Sequence, residues 1–186
     1  MVSNTIFFLC SHQDIQEKLR KEILECIEDK KHISFEDIEK LTYLHQVVNE
    51  TLRLIPPVPE IDRETEKDMF VGDFYVPKGT MIGINIYGLH RNPQIWKDPS
   101  AFNPDRWTEE NLKNVPNLRY SFLPFSVGPR DCVGKIFAKA EGPLILALIL
   151  KNFKVEFEDG FTKNDVELDF ESVVRPKKLK VKLTNL

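Results

Sequence analysis

At 186 residues the chain is long enough for one domain with a buried core. Hydrophobic residues at 41% beside charged residues at 30% describe an ordinary globular composition, and a formal net charge of −3 argues against nucleic acid as the main partner. Cys10, Cys26 and Cys132 form an odd, widely spaced set with no C-x-x-C pair. That excludes a disulfide framework and a zinc ribbon and suits a reducing compartment.

In chain order, the first segment, Met1 to Cys10, lacks the basic flank and the length of a signal peptide. Asp14 to Asp29 predicts a helix, with Ile15, Leu19, Ile23, Cys26 and Ile27 striping a charged body. Ser34 followed by Asp37 reads as a capping box that opens a short helix, Phe35 to Lys40. Thr42 to Leu54 predicts another helix with Leu44, Val47, Val48 and Leu52 on its apolar side, ended by Pro56 and Pro57. Met69 to Val76 and Met81 to Tyr87 alternate like strands, with turns at Gly72-Asp73 and Pro77-Lys78-Gly79. From Asn92 to Arg130 the chain is rich in proline and aromatics and lacks periodicity, a long irregular segment of the kind that usually serves function. A long apolar helix follows from Val133 to Phe153, then short strands. The longest apolar run, Pro143 to Leu150, falls far short of the ~20 residues of a membrane span. In the tail, Leu179, Val181 and Leu183 alternate with lysines, which predicts a half-buried strand with a solvated face.

The stretch from Pro124 to Lys135 is the most informative. Cys132 sits where a glycine-bearing loop enters a helix, and free N–H groups at a helix start favour a thiolate over a thiol. Gly128 and Gly134 remove side-chain bulk on either side, so a large flat group can approach the backbone. Arg130 offers a forked cation suited to a carboxylate. A flat group with carboxylates, held by a thiolate, describes haem b. The spacing Phe125-x-x-Gly128-x-Arg130-x-Cys132-x-Gly134 resembles the haem loop of the cytochrome P-450 family at every fixed position. With ~5% usage per residue type, five such matches recur by chance about once in three million start positions.

Two further motifs follow the same family in order. Glu50-Thr51-Leu52-Arg53 resembles its helical E-x-x-R pair, and Phe102-Asn103-Pro104-Asp105-Arg106-Trp107 resembles its second signature. Alone, an E-x-x-R is a surface ion pair worth about 0–1 kcal/mol. The resemblance implies that Glu50, Arg53 and Arg106 form one buried network behind the cysteine loop, with folding as its job. It implies Cys132 as proximal iron ligand, Phe125 packed beside the sulfur, and Arg63 and Arg130 on the haem propionates. It also implies a substrate wall from Val58, Pro59 and Ile61, with Val173 and Val174 as a second pocket turn. His90 is read as structural. No H-E-x-x-H, G-x-S-x-G or phosphate loop competes. Gln13 departs from the family, which commonly has proline after the histidine.

The fold implied is mainly α with small β-sheets, residues 1–186 forming the truncated C-terminal portion of a single domain. The N-terminal helices and the distal helix that activates oxygen are missing from the match, with Ser3-Asn4-Thr5 as a remnant just downstream of it. The activity implied is insertion of one oxygen atom from O2 into a lipophilic substrate such as a fatty acid, sterol or xenobiotic. Its electrons come from NADPH through a cytochrome reductase that docks near Lys135 and Lys139. Eukaryotic microsomal members are the most similar, so the complete form belongs on the cytosolic face of the endoplasmic reticulum membrane. Two other readings stay open: a non-catalytic remnant or interaction module, and a haem-thiolate isomerase or dehydratase.

Overall fold

Helices that bury one face build the centre of the molecule, and the small sheets sit around it. The computed structural model describes every residue except Glu28, Ser172 and Leu186. The chain opens on α1 (Val2–Ser11), an element the sequence reading leaves unassigned. It is apolar on most sides, so no periodic stripe betrays it. α2 (Gln13–Ile27) starts after His12 breaks the helix at φ −133°, and buries Leu19, Ile23 and Ile27. The expected end of that helix at Asp29 runs through Glu28, outside the described residues.

The departure at Gln13 has a physical account. Gln13 is the first residue of α2, where a proline would lose no helical bond. Here its Nε2 instead donates to the free C-terminal carbonyls of Leu9 and Cys10 in α1, at 3.1 and 3.2 Å, and to Val155 O at 3.1 Å. Gln16 adds a strand-like pair with Val155, accepting its N–H at 2.8 Å and donating to its carbonyl at 2.7 Å. Burial pushes the neighbouring Cys10 thiol up to about 12, with the Glu156 charge adding to it.

α3 (Phe35–Glu39) has the capping box as expected, Ser34 and Asp37 satisfying each other's backbone N–H groups. α4 (Thr42–Leu54) has no side-chain cap from Leu41. Glu22 of α2 supplies it, accepting the Tyr43 and Leu44 N–H groups at 2.7 and 3.0 Å, a carboxylate at the positive end of a helix. Leu44, Val47, Val48 and Leu52 of α4 then pack with the α2 stripe and with Leu146, Ala147 and Leu150 to form the main core.

Glu60–Glu64 is a strand, β1, where the sequence reading assigns site residues but no secondary structure. It is short and charged, so alternation alone does not reveal it. Its partner is β4 (Met81–Asn85), antiparallel, with Arg63 opposite Ile82. β2 (Met69–Val71) and β3 (Phe74–Val76) form the expected hairpin around Gly72, which has φ +58°. The strand expected to reach Tyr87 stops at Asn85, whose side chain accepts the Gly88 N–H at 2.7 Å and opens α5 (Ile86–Leu89).

The irregular stretch from Asn92 is held by short turns: a 3-10 turn at Pro104–Trp107, α6 (Glu109–Leu112) and α7 (Leu118–Ser121). The long helix, α8 (Lys135–Asn152), begins after Gly134. It carries Lys135, Lys139 and Glu141 in its first half and buries only part of its apolar surface: Ile136, Phe137, Ile145 and Leu148 stay exposed. β5 (Phe153–Phe157) pairs antiparallel with β8 (Val181–Asn185), and β6 (Glu167–Asp169) with β7 (Arg175–Lys177). β8 corrects the half-buried reading of the tail. It is exposed along its length, because it is an edge strand paired on one side and among the described residues no layer covers its apolar face. The architecture is mainly α with small antiparallel sheets, as expected.

Candidate functional site

The site has two parts, a buried ion network and the cysteine loop in front of it. Glu50 and Arg53 lie one turn apart on α4, and both side chains are 0% exposed. Their pairing is bidentate, Nε to Oε2 at 2.8 Å and Nη2 to Oε1 at 2.9 Å. Glu50 also accepts the Asn103 N–H at 3.0 Å, Arg106 Nε at 3.3 Å and the Trp107 indole N–H at 3.0 Å. Arg53 spends its remaining donors on the carbonyls of His90, Pro99 and Ala101, at 2.8, 2.7 and 3.1 Å. All five guanidinium N–H groups are thereby used. Arg106 continues outward to the carbonyls of Lys97 and Asp98.

One carboxylate thus faces two guanidiniums, and backbone carbonyls absorb the surplus positive charge. Full satisfaction is what makes such a buried cluster tolerable. The indoles of Trp96 and Trp107 wall it, with the Arg53 guanidinium 5.5 Å from the Trp96 ring centre and the indoles 5.7 Å apart. The sequence reading places Glu50, Arg53 and Arg106 together, and the structure brings them together. It does not foresee Trp107 or Asn103 as partners, although both stand within the second signature.

His90 carries the network forward. Its carbonyl accepts from Arg53, and its ring Nε2 accepts the Leu123 N–H at 2.8 Å, at the entrance to the cysteine loop. The ring is fully buried, and that burial, with repulsion from Arg53 and Arg91, lowers its pKa to about 4. It is therefore neutral at ordinary pH, as an acceptor nitrogen must be.

The loop closes on itself. Ser126 N–H donates to Leu123 O at 3.1 Å, Asp131 N–H to Gly128 O at 3.1 Å, and Cys132 N–H to Phe125 O at 2.9 Å. Lys135 N–H then takes Cys132 O at 3.2 Å and leads into α8. Phe125 packs inward on the core, whereas Cys132 is an exposed free thiol. Gly128 needs its φ of +90°, and a Cβ there would meet nothing within 4 Å. A Cβ on Gly134 would stand 3.8 Å from Cys132 Sγ. Beside the sulfur, Val133 is 103% exposed, and Ile136 and Phe137 are exposed with it. Arg130 is exposed and makes no hydrogen bond or ion pair among the described residues.

That surface fits a large flat apolar ligand with acidic edges: one free sulfur, glycines that leave the backbone bare, an apolar shelf and an unpaired cation. Haem b has this chemistry. Among the described residues no cluster of three or more His, Cys, Asp or Glu offers a rival metal site.

Burial alternates along the segment from Pro57 into β1, so Pro59, Ile61 and Arg63 share the more covered side and Val58 faces the other way. Among the described residues Arg63 reaches only its neighbour's carbonyl, Asp62 O, at 2.8 Å. The segment expected as a second pocket turn meets this one: Val174 N–H donates to Pro57 O at 2.8 Å. Val174 itself is fully buried with Leu54 and Ile55, while Val173 is 44% exposed.

The family model described as cytochrome P-450 matches residues 1–183. Cytochrome P-450 4F2 of Homo sapiens is 40% identical over 157 residues, 83% of this chain and 30% of its own length. Cytochrome P-450 3A18 of Rattus norvegicus is 37% identical over 155 residues, 83% of this chain and 31% of its own. Cytochrome P-450 3A25 of Mus musculus is 35% identical over 177 residues, covering 95% and 35%. The chain spans about a third of the length of the curated relatives it matches. With a match over nearly its whole length and the cysteine loop, E-x-x-R pair and second signature meeting in one place, this chain belongs to the cytochrome P-450 family.

Proposed function

We propose that this chain is the haem-gripping part of a haem-thiolate monooxygenase, with Cys132 as the axial iron ligand. In the complete protein it inserts one oxygen atom into a lipophilic substrate such as a fatty acid, sterol or xenobiotic. Bound haem b supplies oxygen activation, and a thiolate ligand favours O–O cleavage. The chain's own residues hold and orient it. Arg63 and Arg130 take the propionates, Phe125 packs beside the sulfur, and Gly128 and Gly134 let the ring lie against the backbone. Pro59 and Ile61, on the covered side shared with Arg63, wall the substrate; Val58, on the opposite side, and Val173 stand at its exposed edge, and Val174 packs behind them. NADPH electrons arrive through a reductase docked near Lys135 and Lys139, on the cytosolic face of the endoplasmic reticulum. Lys135 lies 3.7 Å from Asp131, so part of its charge is already engaged.

The observation that carries the reading is a free, exposed Cys132 in a loop closed by its own N–H to Phe125 O and anchored to the Glu50–Arg53 network through His90. The test is the absorption spectrum of the complete protein loaded with haem b, reduced and exposed to CO. A strongly red-shifted Soret band is expected, lost in Cys132→Ser while the far-ultraviolet circular dichroism is unchanged. A red-shifted band that survives that substitution overturns the ligand assignment.

A further inference from the structure

One buried side chain outside the haem loop ties together three distant parts of the chain. Asn4, on α1, is 1% exposed. Its Nδ2 donates to Ile55 O and to Val174 O, each at 3.1 Å. Both N–H groups of the amide are thereby used, on carbonyls 51 and 170 residues away in sequence.

The chemistry requires such a donor. Ile55 caps the C-terminus of α4, where carbonyls have no helical partner. The next two residues are Pro56 and Pro57, which have no N–H, so the chain cannot turn back and cap itself. Val174 is fully buried, and among the described residues its carbonyl accepts from no backbone N–H, so it also needs an outside donor. Without Asn4 two buried carbonyl oxygens share one spot and no donor. The reverse amide orientation is worse, since it sets Oδ1 against both. As placed, Oδ1 is buried with no hydrogen-bond partner among the described residues, which leaves the two donors as the side chain's function.

We propose that Asn4 is a positioning residue that, by holding Ile55 at the end of α4 to Val174, sets how the Pro57–Ile61 segment and the Val173–Val174 turn stand to each other and so how much room a bulky ligand has beside them. This rests on the reading of those segments as substrate wall, since the same two stretches carry the exposed Val58 and Val173. The Asn4 amide and the Val174-to-Pro57 bond are two links between the same segments, so loosening one loosens both sides together. Asn4 touches no reacting group in this arrangement. It acts through the two carbonyls.

The test compares Asn4→Leu, which keeps much of the volume but donates nothing, with Asn4→Ala, which leaves room for a water able to donate to both carbonyls. Hydrogen–deuterium exchange on the 186-residue chain reads the coupling. In Asn4→Leu, peptides over Ile55–Ile61 and Val173–Lys177 should lose protection together by about tenfold, while the β2–β3 hairpin and the first turns of α4 are unchanged. Asn4→Ala should fall between Asn4→Leu and the parent. On haem-loaded protein, imidazole should bind unchanged, while a bulky arylimidazole that must fit beside the two segments should change affinity about fivefold or more. Loss of protection in one segment alone, in neither, or equally throughout the chain overturns the proposal, as does an unchanged arylimidazole affinity. Failure of the parent protein to take up haem would instead strike the haem-thiolate reading, and the exchange data would still decide this one.

Discussion

Truncating Glu50 to alanine is the sharpest perturbation of the buried network. It strips five donors of their acceptor at once: Arg53 Nε and Nη2, the Asn103 N–H, Arg106 Nε and the Trp107 indole N–H. It also leaves two guanidiniums without the one carboxylate that faces them. Summing about 1–3 kcal/mol for each orphaned donor overshoots, because the donors share two oxygens and relax together. Loss of one partner of a buried ion pair costs ~3–5 kcal/mol. Against a total stability of roughly 5–15 kcal/mol, that is a large share. At ~2–4 °C per kcal/mol for a chain of this size, the melting midpoint should fall by about 6–20 °C. Thermal unfolding followed by circular dichroism measures that midpoint, and urea unfolding gives the free-energy difference. Glu25→Ala is the control, since its pairing with Lys21 at 3.9 Å is solvent-exposed and should cost under about 0.5 kcal/mol. Glu50→Gln keeps the shape and one good acceptor but turns N–H groups toward donors, so it should fall between the two. A Glu50→Ala protein within about 1 kcal/mol of the parent would mean that water reaches the site and the network is not the anchor.

Stability should also depend on His90 through pH. Its pKa is about 4 folded against 6.5 unfolded, so the unfolded chain binds the extra proton between those values. The contribution is therefore full above about pH 6.5 and is lost as pH falls toward 4, on the order of 3 kcal/mol across the window. His90→Gln offers the Leu123 N–H an acceptor without a titration, and its stability curve should lack that slope; an equal slope would refute the assignment. Among the cysteines, Cys132 should react first with a thiol reagent, Cys26 more slowly, and Cys10 only on unfolding, since it is buried and its thiol is raised to about 12. Mass mapping of early adducts on Cys10 would contradict the packing of α1. Gly134→Ala should leave stability within about 1 kcal/mol, since its φ is −83°, yet should lower haem uptake by placing a methyl 3.8 Å from Cys132 Sγ. Equal haem uptake in the two forms would show that the ring does not lie over Gly134.

Legibility in the sequence followed what governs each element. α2, α3 and α4 were readable because a solvent-facing helix with one buried face must show its stripe, and because Ser34 and Asp37 announce a cap. α1 was not, since a helix that is apolar on most sides has no period to detect. β1 was missed because its residues are charged, and its existence depends on pairing with β4, twenty residues on. The same limit applies to the site. Glu50, Arg53 and Arg106 could be named from motifs, whereas Trp107 Nε1, the His90 ring and Asn4 act through contacts across 33 to 170 residues that no local pattern records.

The network's location explains why the fold uses charges where apolar packing would do as well for stability. A buried ion cluster is often no better than hydrophobic residues of the same volume. Hydrophobic contacts, however, are indifferent to small slips, and a bidentate pair with five filled donors is not. Through Glu50, Arg53 and His90, the chain pins α4, the Pro99–Trp107 stretch and the Leu123 entrance of the cysteine loop to one another by directional bonds. Neither the Pro99–Trp107 stretch nor the Leu123 entrance belongs to a strand or a long helix that would fix it. The loop beyond them leaves its outer face bare, with Val133, Ile136, Phe137 and Cys132 all exposed. A loop open on one side can hold a sulfur at a set place only if its other side cannot move. The ion network supplies that rigidity from behind.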